Sequence, residues 1–245
     1  MAWPSSIVLP LMIGLACLPS LRGEFVAGAA AVGIDPPRLP VLRNGGFLQQ
    51  SANRVASPLF ARSLVLDDGA ARVAICVVDS CMLDRELCDA AKALASAAGG
   101  IRADRILISA THTHSAPSAM RALGCAVDPD YPAFLVPRIA ESISRAAGSL
   151  RPAQAGWAVG DAGQFTNCRR WIYLPHKMLT DPFGLRSVRA MMHPDHLSPD
   201  VAGPAGPIDP DFTLLSIRGG DGSPLAVLGN FSMHYYGAAE ISSDF

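Results

Sequence analysis

The spacing of apolar and polar positions changes period along the chain. A short apolar run at residues 64–66 meets Asp67-Asp68-Gly69, and a second run extends from Arg72 to Val78. Two apolar stretches about an Asp/Gly turn predict a β-hairpin. The second stretch is unbroken from Val73 to Val78, which predicts burial on both faces, as for an inner strand of an α/β sheet. The period then lengthens: Leu87, Ala90, Ala91, Leu94 and Ala98 recur at helical spacing. A helix over residues 84–98 is predicted, with Asp84 as N-cap and Gly99-Gly100 as its stop. A strand over residues 105–109 follows, completing a βαβ unit with a right-handed crossover.

A second helix is predicted over residues 137–149, with Ile139, Ile143, Ala146 and Ala147 on one face. Residues 155–159 read as a short strand. Residues 165–211 are rich in proline and carry His176, His193 and His196, so a long irregular loop is expected there, and such loops are usually functional. A closing hairpin pairs residues 212–217 with 225–231 across Gly219-Gly220-Asp221-Gly222. The expected fold class is α/β: a mixed sheet with a βαβ unit and β-hairpins, helices packed on the sheet, and long irregular loops.

Composition narrows the function classes. Of 245 residues, 50% are hydrophobic and 17% charged, which excludes a disordered chain. With 20 Lys+Arg against 21 Asp+Glu the net charge is −1, so no nucleic-acid partner is expected. Residues 7–18 form an apolar run too short to span a bilayer, and small residues follow near residues 20–23. Residues 1–23 are therefore read as a signal peptide and residues 24–245 as one domain, exported to a periplasm or beyond. A lipoprotein anchor through Cys17 is disfavoured, because Gly14 stands where a bulky apolar residue is usual. No two of the six cysteines form a C-x-x-C pair, so a zinc-thiolate cluster has no support. Cys76, inside an apolar strand, reads as a core residue. The chain stops directly after a strand, and the domain is expected to continue beyond it.

The chemistry gathers at Thr111-His112-Thr113-His114-Ser115, just past the predicted strand at 105–109. Ligands in open α/β sheets bind beyond the carboxyl ends of strands. An H-x-H pair in extended backbone points both imidazoles to one face, and neutral imidazole is a good zinc ligand. The alternative is two histidines satisfied by hydrogen bonds in a turn. His234 follows the last predicted strand and gains meaning if it converges with His112. Arg169 and Arg170 offer guanidinium donors suited to a carbonyl or an oxyanion, or else form a surface pair over Trp171. His176, His193 and His196 read as ordinary loop histidines. Asp79 ends a buried strand, where it could orient a histidine or cap the turn. No serine-hydrolase elbow or nucleotide-binding glycine motif is present.

Taken together, residues 110–117 (ATHTHSAP), Arg169-Arg170-Trp171, residues 204–210 (PAGPIDP), residues 230–234 (NFSMH) and residues 241–244 (ISSD) resemble the neutral/alkaline non-lysosomal ceramidase family, in its exported bacterial form. Residues 77–79 and 32–36 also fit, and the likeness runs from about residue 25 onward. The resemblance implies a zinc-dependent (Zn2+) amidohydrolase that splits an N-acyl amide, ceramide or a ceramide-like lipid, into a fatty acid and a sphingoid base or amine. It implies His112 and His234 as metal ligands and His114 as the histidine that contacts the reacting amide. Arg169 is the likelier match to the substrate-side arginine, with Arg170 left open because Cys168 replaces the asparagine usual before it. Asp79, Arg170 and Asp244 would support the ligands or the substrate, and the remaining zinc ligands, a Glu and a Tyr, would lie further along. The implied partner is a small amphiphilic lipid, with peripheral membrane contact. A non-catalytic or surface-binding module, and a zinc ester or phosphoester hydrolase, are the competing expectations.

Overall fold

The computed structural model describes residues 24–195, 197–234 and 239–243. Residues 1–23, where a signal peptide is expected, His196 and Asp244 lie outside the described residues. In chain order the elements are β1 (Val26–Gly33), β2 (Val41–Arg43), β3 (Gln50–Ala52), β4 (Phe60–Asp67), β5 (Arg72–Val78), α1 (Arg85–Gly99), β6 (Ile106–Ala110), α2 (Tyr131–Gly148), β7 (Arg151–Asp161), β8 (Arg170–Tyr173), β9 (Ala190–Met192), β10 (Val201–Pro204), β11 (Asp211–Gly219) and β12 (Pro224–Phe231). A seven-stranded sheet runs β12-β11-β7-β1-β4-β5-β6, with β5 and β6 parallel and the other pairs antiparallel. The α/β class and its mixed sheet are as the sequence predicts.

The first hairpin closes where the Asp/Gly turn places it, with Asp67 opposite Arg72 and Gly69 at φ 82. The first helix also matches. The Asp84 side chain accepts from the Leu87 N–H, and Gly100 at φ 65 caps the other end. Its buried stripe is narrower than the periodicity implies. Leu87, Ala91 and Ala95 are buried, whereas Leu94 is 49% exposed.

Four expectations need correction. The second helix begins at Tyr131, not at residue 137, and runs through Pro137. Proline removes one helical hydrogen bond. The turn before it is held by a local bond, Asp128 accepting from the Tyr131 N–H, and by tertiary contacts: the Tyr131 hydroxyl donates to the Ile34 carbonyl, and Leu135 and Ile139 are fully buried. The predicted strand at 155–159 is the middle of the eleven-residue β7, whose partners β1 and β11 supply the hydrogen bonds that its largely exposed side chains do not advertise. The irregular region holds a three-stranded sheet, β10-β8-β9. Finally, β5 is buried on one face only. Ala74, Cys76 and Val78 enter the core beneath the helices, while Ile75 and Val77 are half-buried and line a groove beside β12. Among the described residues no helix is long and apolar enough to cross a membrane.

Candidate metal centre

The parallel pair β5-β6 sets the floor of the site. Beyond its carboxyl ends the two chains stay stitched: Thr111 N–H donates to the Val78 carbonyl and His112 N–H to that of Ser80, each at 2.9 Å. The H-x-H segment then leaves extended conformation. His112 sits at φ 67, in the left-handed region, which costs a non-glycine residue about 1–2 kcal/mol. The expected strand-like alternation is therefore replaced by a turn, and it is the turn that brings the two imidazoles together. Thr113 and Ser115 are fully buried and hold that turn in place. Thr113 Oγ1 donates to the Ser242 carbonyl, and the Ser242 N–H donates to the Ser115 carbonyl. Ile241 is bonded in turn to Arg54 and Ala56. Three segments far apart in sequence thus build one loop.

His234 arrives from the other side, three residues past β12. Thr166 Oγ1 donates to the Ser232 carbonyl at 2.7 Å, and Ser232 Oγ donates to Asp209 at 3.1 Å. The three rings close a triangle. Centroid separations are 4.8 Å for His112–His114, 5.1 Å for His112–His234 and 4.9 Å for His114–His234, each pair close to perpendicular. The Nε2 atoms of His112 and His114 lie 3.3 Å apart. Two imidazole nitrogens on one tetrahedral zinc, with bonds of about 2.0–2.1 Å, are separated by about 3.3–3.4 Å. The ring triangle has the matching size. His112 is oriented for this role by its own main chain: Nδ1–H donates to the Cys81 carbonyl at 2.8 Å, leaving the Nε2 lone pair aimed at the other rings.

Cys81, His112 and His114 also form a group able to hold a metal ion, with ligand atoms within 4.8 Å of one another. Within it, Cys81 Sγ faces His112 Nδ1 at 3.9 Å, the nitrogen already engaged by a carbonyl. Burial pushes the Cys81 thiol up to about 11. The side of His112 facing His114 and His234 is thus the better donor set. Both His114 and His234 are held below the usual histidine range. For His114 the causes are burial and the neighbouring charges of His112 and His234; for His234 they are burial and then the charge of Arg169. Neutral imidazoles are the form that binds a metal.

Arg169 lines a cleft of about 330 Å³ together with His234, Trp171, Met233 and His193. Arg170 lies apart from that cleft, beside β9 with Ala190 and Met191. His193, which the sequence presents as an ordinary loop histidine, borders the same cleft as His234. Nothing in its neighbours in sequence signals this, since the β8-β9 pairing delivers it. His176 sits in the short turn Pro175–Lys177 with its carbonyl bonded to Arg186.

Asp79 is 2% exposed and engaged away from the histidines. Its carboxylate accepts from the Phe60 N–H at 2.8 Å and from Arg62 Nη1 at 2.7 Å, and the Arg62 guanidinium stacks 4.9 Å over the Phe60 ring. Of its two expected roles, orienting a histidine or capping the turn, the first is not seen at His112, whose Nδ1 is held by the Cys81 carbonyl. Asp79→Asn should thus lower unfolding stability by about 2 kcal/mol, discounted because Arg62 is half exposed, yet leave metal content unchanged. Denaturant melts paired with elemental analysis check this; loss of metal at full stability would return Asp79 to the site.

No protein-family model and no curated protein matches the chain. Solved structures do match in fold. The crystal structure of neutral ceramidase from Pseudomonas aeruginosa superposes with a TM-score of 0.60 at 19% identity, covering 84% of this chain and 31% of that one. A ceramidase complexed with C2 gives a TM-score of 0.60 at 20% identity, over 84% of this chain and 30% of that one. The chain spans about a third of the length of the structures it matches, and over that third it has a ceramidase-like fold.

Proposed function

We propose that the chain carries part of the active site of a zinc-dependent hydrolase of N-acyl amides, ceramide or a ceramide-like lipid, releasing a fatty acid and a sphingoid base or amine. The observation that supports this reading is the convergence of the His112, His114 and His234 rings, with the Nε2 atoms of His112 and His114 3.3 Å apart, on a ceramidase-like fold. His112 and His234 would hold the metal. When bound, zinc supplies Lewis acidity, lowering the pKa of water toward neutrality and polarising a carbonyl. The chain's own residues do the rest. The Cys81 carbonyl fixes the orientation of His112. His114, the third ring of the triangle, would face the acyl oxygen. Arg169 donates to the charge that develops on that oxygen, where one lost donor costs about 3 kcal/mol. We also propose that residues 1–23 direct export.

The 3.3 Å separation of the two Nε2 atoms favours a second reading, in which His114 is a third ligand. His114→Ala separates them: retained metal with lost hydrolysis fits the substrate role, and lost metal fits the ligand role. The function as a whole is tested by zinc analysis and by release of fatty acid from a short-chain ceramide and a panel of simple N-acyl amides. About one zinc per full-length chain is expected. A full-length chain that takes up no zinc from an equimolar solution defeats the reading.

A further inference from the structure

We propose that the hairpin joining β8 to β9 is an anchor for an anionic lipid surface, with Phe183 and Leu185 entering the hydrocarbon and Arg186 and Arg189 meeting the phosphates. This anchor needs no metal and no hydrolysis; it is a property of the hairpin alone.

Residues 174–189 carry the pairing of β8 with β9 outward. The Tyr173 N–H donates to the Arg189 carbonyl, and Leu179 and Val188 exchange backbone bonds at 3.2 and 3.0 Å. The tip is a fixed turn. Asp181 Oδ1 accepts from the N–H groups of Phe183 and Leu185, each at 2.9 Å, and Ser187 Oγ donates to Oδ2. Gly184 supplies the positive φ of 85 inside it. Arg186 straps the turn from behind, donating to the Met178 and His176 carbonyls. All these bonds hold a turn whose two large apolar side chains face water: Phe183 is 88% exposed and Leu185 65%. An apolar pair ordered outside any core adds nothing to the chain's own burial, whereas a tip already ordered lowers the entropy cost of entering an apolar phase.

Charge selects that phase. Residues 168–192 carry five Lys+Arg, at 169, 170, 177, 186 and 189, against one carboxylate, Asp181. The chain as a whole has net charge −1, so this excess is local. Asp181 is engaged by the turn and Lys177 pairs with Asp200. Among the described residues Arg170, Arg186 and Arg189 are exposed and form no salt bridge. An apolar tip with cations behind it matches a bilayer, where hydrocarbon lies beneath a layer of phosphates. A specific protein interface needs roughly 1,000 Å² of buried surface, more than a two-residue tip offers. β8 also carries Trp171, which lines the cleft beside His234, so a hairpin held in lipid ties that cleft to the surface.

The test is co-sedimentation of the full chain with vesicles, of phosphatidylcholine alone and of phosphatidylcholine mixed with phosphatidylglycerol. Binding to the anionic vesicles is expected, weaker on the neutral ones and weakened by high salt. Phe183→Ser should weaken it about tenfold or more, the effect of burying one large apolar side chain. Arg189→Gln should weaken it about fivefold, the effect of one cation at an anionic surface. Trp157→Ser removes a side chain that is 78% exposed on β7 and should change nothing. Phe183→Trp puts an indole at the tip, and its emission should shift to the blue on the anionic vesicles. The substituted side chains are all exposed, so melting temperatures should match the parent's. No binding to anionic vesicles, or binding that Phe183→Ser leaves intact, overturns the proposal. Equal losses in Phe183→Ser and Trp157→Ser also overturn it, since any exposed apolar group would then serve. Self-association that Phe183→Ser abolishes, without vesicle binding, overturns it in favour of a second copy of the chain. Vesicle binding without zinc uptake keeps the anchor, and the metal reading then stands or falls on zinc analysis of the full-length chain.

Discussion

Replacing His112 or His234 by alanine is expected to weaken zinc binding by about 100- to 1,000-fold. The estimate follows from sharing the roughly 10–16 kcal/mol of a four-ligand zinc site among its ligands, about 3–4 kcal/mol each. Both rings are part of the triangle with sides near 5 Å, so losing either leaves at most two of its three imidazoles to hold the metal. Cys81 is the nearest substitute, and it faces the nitrogen of His112 that a carbonyl already holds. Competition titration against a zinc chelator measures the change. Replacing His176 is the matched control, since it sits in a separate turn. If the His234 variant bound zinc as tightly as the parent, the mixed group of Cys81, His112 and His114 would be the metal site, and Cys81→Ser would then abolish binding.

The second large effect is expected at a residue with no side chain. Gly45 stands at φ +112, and a Cβ there would come within 2.7 Å of the Cβ and Cγ of His114. The loop that carries it cannot easily withdraw. Asn44, 2% exposed, donates from its side chain to the Met120 carbonyl, and its N–H donates to the Ala116 carbonyl. Gly45→Ala therefore combines backbone strain, about 1–2 kcal/mol, with overpacking of about 1–3 kcal/mol. We expect unfolding stability to fall by about 3 kcal/mol and the His114 ring to be displaced. Gly46→Ala is the internal control, because the nearest atom to a Cβ there is 3.5 Å away. Urea midpoints for the two variants, with hydrolysis or zinc affinity as the functional readout, check the prediction. Equal midpoints would mean that the close approach to His114 is not a constraint.

Both effects involve residues whose importance the linear chain displays unevenly. The two hairpins, the first helix and the βαβ unit were legible because their signals are local. Asp67 to Gly69 can only turn, Asp84 can only cap, and Gly100 adopts a backbone angle that disfavours other residues. The start of α2 was not legible, since Pro132 and Pro137 read locally as breaks, and only the burial of Tyr131 and Leu135 outweighs them. The small sheet of β8, β9 and β10 was hidden for the same reason: three or four residues carry too short a period to detect, and pairing partners supply what the pattern lacks.

The candidate site divides in the same way. His112, His114, His234 and Arg169 could be nominated from the sequence because imidazoles and guanidinium groups carry their chemistry wherever they stand, and two of them are adjacent to a recognisable strand. By itself, then, the sequence determined the α/β class, its local elements and the residue types able to bind a metal. Tertiary structure alone decided that His112 turns through a left-handed angle, that the Cys81 carbonyl and not Asp79 holds its ring, and that His193 and His234 line one cleft. Those outcomes depend on hydrogen bonds and contacts between segments tens to more than a hundred residues apart, and no local period or motif encodes which distant partner a group will meet.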